Sequence, residues 1–170
     1  EPEVQDLARF LIAMGARITG AGTHRIVVEG VERLHGARHR VIPDRIEAGT
    51  FLVAGAITRG DITVEGAVPE HLAAVEDKLD EIGVPLSRGP DWVRVERNGA
   101  LRPADVVTLP FPGFPTDLQA QFMALLSVVP GISVVTERVY PDRFIHAAEL
   151  NRMGARVRKE GDHAIIQGTQ

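Results

Sequence analysis

The sequence predicts an α/β (α+β) fold assembled from repeated helix-strand-helix-strand-strand units. Three observations predict it. One is a side-chain stripe at i, i+4, i+7, i+8 and i+11, which occurs as Ile46, Thr50, Val53, Ala54 and Ile57 and again as Leu118, Phe122, Leu125, Leu126 and Val129. That spacing lines one face of a helix. Next, glycines recur in register: Gly60 and Gly131, like Gly83 and Gly154, stand 71 positions apart. Last, Gly60 and Gly131 each precede a β-branched run, Ile62-Thr63-Val64 and Ile132 to Thr136, that reads as a strand.

The elements follow in order. Val4, Leu7, Ala8, Leu11 and Met14 form a helical stripe that ends at Gly15, and Ala16 to Thr19 with Arg25 to Glu29 supply two strands. This is the back half of a unit. Residues 31–43 are an Arg- and His-rich connection, in which His35 and His39 have no third ligand nearby and are expected to be solvated. The first complete unit opens at Pro43 with a capping box of Asp44 and Glu47. Its second helix starts near Pro69-Glu70 and carries Leu72, Val75, Leu79 and Ile82; its closing strands are Val84 to Ser87 and Trp92 to Glu96. The second complete unit opens after Pro115 with a capping box of Thr116 and Gln119. A helix from near Pro141-Asp142 to Met153 follows, then strands Ala155 to Arg158 and Ala164 to Gln167. Gly83 and Gly154, placed just after the second helices, suit left-handed caps. A chain that starts in mid-unit reads as part of something longer.

Composition narrows the function classes. Hydrophobic residues make up 44% and charged residues 25%, ordinary for a globular chain with a core. Net charge is −4 without a basic block, which argues against nucleic-acid partners. No cysteine is present, so disulfides, thiolate metal sites and a cysteine nucleophile on this chain are excluded. Apolar runs are too short for a spanning helix and no signal peptide opens the sequence, so no membrane partner and a cytoplasmic location are expected. Neither GxGxxG nor GxxxxGK[ST] occurs, against a dinucleotide or P-loop fold.

The stretches Pro43-Asp44-Arg45-Ile46-Glu47-Ala48-Gly49-Thr50-Phe51, Phe114-Pro115-Thr116-Asp117-Leu118-Gln119-Ala120-Gln121-Phe122 and Arg143-Phe144-Ile145-His146 resemble UDP-N-acetylglucosamine 1-carboxyvinyltransferases. Arg25 to Leu34 and Glu149 to Ala155 extend the resemblance over nearly the whole chain. It implies the inverse α/β prism, with three such units in each of two lobes. Residues 1–40 would complete one lobe, 41–43 would be an inter-lobe crossing, and 44–170 would supply two units of the other lobe, 44–98 and 115–168. It also implies transfer of the enolpyruvyl group of phosphoenolpyruvate to the 3-hydroxyl of UDP-N-acetylglucosamine, the first committed step of peptidoglycan synthesis. No cofactor or metal is implied. The partners would be those two substrates and the remainder of the same chain.

The resemblance makes Asp117 the carboxylate that engages the sugar 3-hydroxyl and a general base for it. By position alone an Asp at a helix start is more often a cap. The repeat register favours the other role: Thr116 aligns with Asp44, so Thr116 and Gln119 are expected to cap the helix and leave Asp117 available. A helix N-terminus also favours a negative charge there. Val139 matches a position that contacts the UDP-sugar. Thr116, Tyr140 and Arg143 are expected to line the same site: Tyr140 keeps the flat face of the family's usual phenylalanine, and Arg143 can meet a phosphate or a carboxylate. The phosphate-clamping Lys and Arg residues of the family, and its loop Cys or Asp, correspond to segments outside this sequence, so the chain is expected to be inactive alone. Two alternatives stand beside this reading, a shikimate-pathway enolpyruvyl transferase and a non-catalytic α/β repeat module for interactions.

Overall fold

The structure is a computed structural model that describes residues 1–169. It divides into two compact units, Glu1–Pro43 and a larger one beginning at Asp44.

In the smaller unit, helix α1 (Pro2–Ala13) leads through Gly15, whose φ is 99°, into an antiparallel pair of strands, β1 (Arg17–Thr19) and β2 (Val27–Glu29). Leu11, Ile12 and Phe10 carbonyls take the N–H groups that close the helix end. The expectation of a solvated His39 is corrected here. Its side chain is only 16% exposed, its Nε2 lies 3.0 Å from Oδ1 of buried Asp6, and its ring stacks on Phe10. A carboxylate on an apolar helix face needs a polar partner, and the connection supplies one.

In the larger unit, α2 (Arg45–Ile57) starts at Asp44, whose Oδ1 accepts the N–H groups of Ile46 (2.7 Å) and Glu47 (3.1 Å). Strand β3 (Asp61–Glu65), helix α3 (Ala73–Ile82), β4 (Leu86–Arg88) and β5 (Trp92–Glu96) complete the first repeat. The second repeat holds α4 (Gln119–Ser127), β7 (Gly131–Thr136), α5 (His146–Arg152), β8 (Val157–Glu160) and β9 (His163–Gly168). Its sheet is antiparallel in the order β7-β9-β8, matching β3-β5-β4 of the first. Gly83 caps α3 in the left-handed region with φ 93°, and Gly154, φ 98°, follows α5.

Two local differences from the expected pattern matter for the site. Strand β6 (Val106–Val107) pairs parallel to β7, bringing the residue after it, Thr108, beside Thr136. Two residues are too few to show alternation, so this strand has no sequence signature. The helix expected from Pro141 begins only at His146. Residues 140–145 form turns instead, and the Arg143 carbonyl accepts from the Gln119 side chain rather than from a helical N–H.

The core lies between the sheets and the paired helices α2 and α4. Leu118, Phe122, Leu125, Leu126 and Val129, the whole second stripe, are fully buried together with Leu52, Leu79 and Ile166. Burying each such side chain contributes about 1.5–3 kcal/mol. The repeats touch through their first helices: Gln121 Nε2 donates to Thr50 Oγ1 (3.0 Å), and Leu118 packs over Gly49. This anchors the turn that carries Asp117.

Candidate functional site

The site forms where the start of α4 meets the loop after β7. Pro115 is extended (φ −72°, ψ 132°), and a 3₁₀ turn over Thr116–Leu118 leads into α4. Leu118 points into the core while Asp117, one position earlier, points out with a side chain 51% exposed. Arg143 reaches across from the loop. Its Nη1 donates to Asp117 Oδ1 at 2.7 Å and to Thr116 Oγ1 at 3.2 Å. The Arg143 guanidinium also lies over the Tyr140 ring, 5.7 Å from its centroid. Oδ2 of Asp117 takes no hydrogen bond among the described residues. One carboxylate oxygen is therefore fixed and the other is left without such a bond on a half-exposed side chain, an arrangement able to accept a hydrogen bond or proton from a hydroxyl.

The expected capping box of Thr116 and Gln119 does not form: no side chain caps either the 3₁₀ turn or α4. Both side chains turn instead to Glu137, a residue that the sequence reading passed over. Glu137 is 0% exposed. Its Oε1 accepts from the Thr108 hydroxyl (2.6 Å) and from the N–H groups of Val139 (2.9 Å) and Tyr140 (3.0 Å). Its Oε2 accepts from the Thr116 hydroxyl (2.9 Å) and Gln119 Nε2 (3.2 Å). Burial pushes this carboxyl up, and the hydrogen bonds from Thr108, Tyr140, Val139 and Thr116 outweigh it, leaving the group below the ordinary glutamate value. A buried carboxylate without a cation among its hydrogen-bond partners survives because five donors replace its water.

Of the five residues expected at the site, Thr116, Asp117, Tyr140 and Arg143 are joined by direct contacts. Val139 joins them through its backbone, which Glu137 holds. Tyr140 is 59% exposed and Val139 half-buried. His146 lies just beyond, with Nε2 3.1 Å from Met123 Sδ; burial, then the Arg143 charge, hold its pKa below the ordinary histidine value. The single signal for Glu137 in the sequence was a carboxylate closing a β-branched strand, and glutamate is so commonly exposed that such a signal is easily passed over. Among the described residues no group of three or more His, Asp or Glu residues could hold a metal ion.

The model of the family described as EPSP synthase (3-phosphoshikimate 1-carboxyvinyltransferase) matches residues 1–170. The chain belongs to the EPSP synthase family. Within it, the chain is 56% identical over 168 residues to UDP-N-acetylglucosamine 1-carboxyvinyltransferase 1 of Staphylococcus aureus (strain N315), covering 99% of this chain and 40% of that protein. The protein of the same name from Staphylococcus epidermidis (strain ATCC 12228) is 55% identical over the same shares. The resemblance carried by the motifs thus extends along the chain. Among solved structures, the enolpyruvyl transferase NikO from Streptomyces tendae aligns with a TM-score of 0.86 at 29% identity, over 99% of this chain and 40% of its own. An EPSP synthase from Acinetobacter baumannii aligns at 0.69 and 23% identity, over 95% and 39%, and shows the shared fold. The architecture is of this family's inverse α/β prism type. The chain spans about 40% of the length of the relatives it matches.

Proposed function

We propose that the chain is part of a transferase that moves the enolpyruvyl group of phosphoenolpyruvate to the 3-hydroxyl of UDP-N-acetylglucosamine, in peptidoglycan synthesis. The observation that carries this is the 56% identity over 168 residues to a protein of that name. A shikimate-pathway reaction has less support, because the likeness to the Acinetobacter baumannii EPSP synthase is at 23% identity and concerns fold. On this proposal residues 1–40 belong to one lobe, 41–43 to the crossing and 44–170 to the other lobe, and a cytoplasmic setting follows from the substrates. Among the described residues no helix is long and apolar enough to cross a membrane.

Asp117 is the group proposed to act on the hydroxyl. With Oδ1 fixed by Arg143, its second oxygen, Oδ2, would accept the hydroxyl proton as the oxygen bonds to the enolpyruvyl carbon, while phosphate leaves from that carbon. A carboxylate is a far weaker base than an alkoxide, so the proton moves late, as carbon–oxygen bonding develops. Thr116, Val139, Tyr140 and Arg143 would line the sugar side. Among the described residues Arg143 is the cation hydrogen-bonded to Asp117, and the phosphate charge needs more, so the segment alone is expected to be inactive.

The test is phosphate release by the full-length protein with phosphoenolpyruvate and either UDP-N-acetylglucosamine or shikimate 3-phosphate. Release with the UDP-sugar alone supports the proposal. Release with shikimate 3-phosphate alone, or binding of neither acceptor, overturns it.

A further inference from the structure

We propose that Glu137 is a positioning residue for the acceptor sugar, tying the loop that holds Val139, Tyr140 and Arg143 to the turn that holds Asp117. The proposal rests on the transfer reaction above and adds a residue to it.

The two oxygens of Glu137 face different elements. Oε1 gathers the loop, through the N–H groups of Val139 and Tyr140, and the end of β6, through Thr108. Oε2 gathers the start of α4, through Thr116 and Gln119. Thr108 strengthens the grip from behind, since its Oγ1 also accepts the Arg138 N–H at 2.9 Å. Thr116 is shared: its hydroxyl donates to Glu137 and accepts from the same Arg143 nitrogen that fixes Asp117. One buried carboxylate thus joins the loop to the turn, beside the direct ties from Arg143 to Asp117 and Thr116 and from Gln119 to the Arg143 carbonyl.

Two further observations separate this from ordinary core satisfaction. Among the described residues the side-chain oxygen of Gln119 is buried without a hydrogen-bond partner, while both amide protons are committed, to Glu137 and to the Arg143 carbonyl. Turning the amide over would set its oxygen against two acceptors, so an unmade hydrogen bond is tolerated to keep the tie. The internal repeat adds the second. The position equivalent to Glu137 after the first strand is Gly66, with φ 71°, and the first repeat completes the same strand order there without a buried acid. The fold unit does not require Glu137; only the repeat that carries Asp117 has it.

Glu137→Gln separates positioning from folding. The amide oxygen can still take the Thr108 hydroxyl and the two loop N–H groups, while its NH₂ faces the Gln119 NH₂, donor against donor. The loop stays tied to residue 137, while the start of α4 loses its hold there and keeps only its ties to Arg143. In the full-length protein the expected result is a KM for UDP-N-acetylglucosamine raised tenfold or more, with kcat lowered. KM for phosphoenolpyruvate should stay within twofold and the melting midpoint within a few degrees. Thr108→Val, which removes one Oε1 donor at constant shape, should shift the same KM about threefold, and it serves as the test if Glu137→Gln does not fold. A lower melting midpoint with unchanged kinetics would make Glu137 a core residue only and overturn the proposal. A wild-type protein without the transfer activity overturns the reaction and this proposal together; an active wild type with kinetically silent variants overturns this one alone.

Discussion

A single nitrogen of Arg143 holds both Asp117 Oδ1, at 2.7 Å, and Thr116 Oγ1, at 3.2 Å. Arg143 and Asp117 are 43% and 51% exposed, so the pair contributes only about 0.2–1 kcal/mol to stability. Its consequence is geometric. Removal of either partner is expected to change catalysis far more than folding.

Asp117→Ala in the full-length protein is expected to lower kcat by about 10²–10⁴, the range of a lost general base, with an unchanged melting curve. Steady-state phosphate release and thermal unfolding check it together. Turnover near the wild-type level would remove Asp117 from the mechanism.

Arg143→Ala should leave stability within about 1 kcal/mol and raise KM for the UDP-sugar about tenfold, a loss of about 1.4 kcal/mol in binding. Arg143→Lys should recover only part of this, because a compact ammonium replaces a planar guanidinium that holds the two oxygens and also lies over the Tyr140 ring. Full recovery by lysine would show that charge alone matters here.

Acid should act through Glu137. Its folded-state pKa lies below the ordinary value, so it contributes stability above the unfolded-state pKa of about 4.3, and that contribution is lost as pH falls through the folded pKa. Urea midpoints of the wild type should therefore decline below about pH 4.3, and Glu137→Gln should decline less steeply over the same window. Parallel pH profiles for the two proteins would contradict the linkage.

Gly168 closes β9 against the end of α4. A Cβ there would run into the carbonyl oxygens of Val129 and Leu126, which are backbone and cannot rotate away. Gly168→Ala is expected to cost about 1–3 kcal/mol, read as a lower urea midpoint without a change in slope. An unshifted midpoint would place those carbonyls elsewhere.

The helices and strands were largely legible because burial imposes a period. Leu118, Phe122, Leu125, Leu126 and Val129 recur at helical spacing, and all five are fully buried on one face. Gly83 and Gly154 were legible because a left-handed residue after a helix selects glycine. Asp44 was legible as a cap since its partners are two and three residues away. The same logic misassigned Thr116 and Gln119. Local spacing pointed to capping, and the partner that outcompeted it, Glu137, is 21 and 18 residues further on.

By itself the sequence determined the repeat, the faces of its helices and the lack of a cysteine on this chain, and its family resemblance drew attention to the residues from Thr116 to Arg143. The repeat and the helix faces follow from period and composition, and the resemblance from short motifs, all of which are local along the chain. Only the tertiary structure decided which of them meet, and that a two-residue strand at Val106–Val107 delivers Thr108 to a glutamate no pattern marks. The physical reason is that a buried carboxylate is stable only where donors from separate elements converge, and convergence in space leaves no fixed interval in sequence.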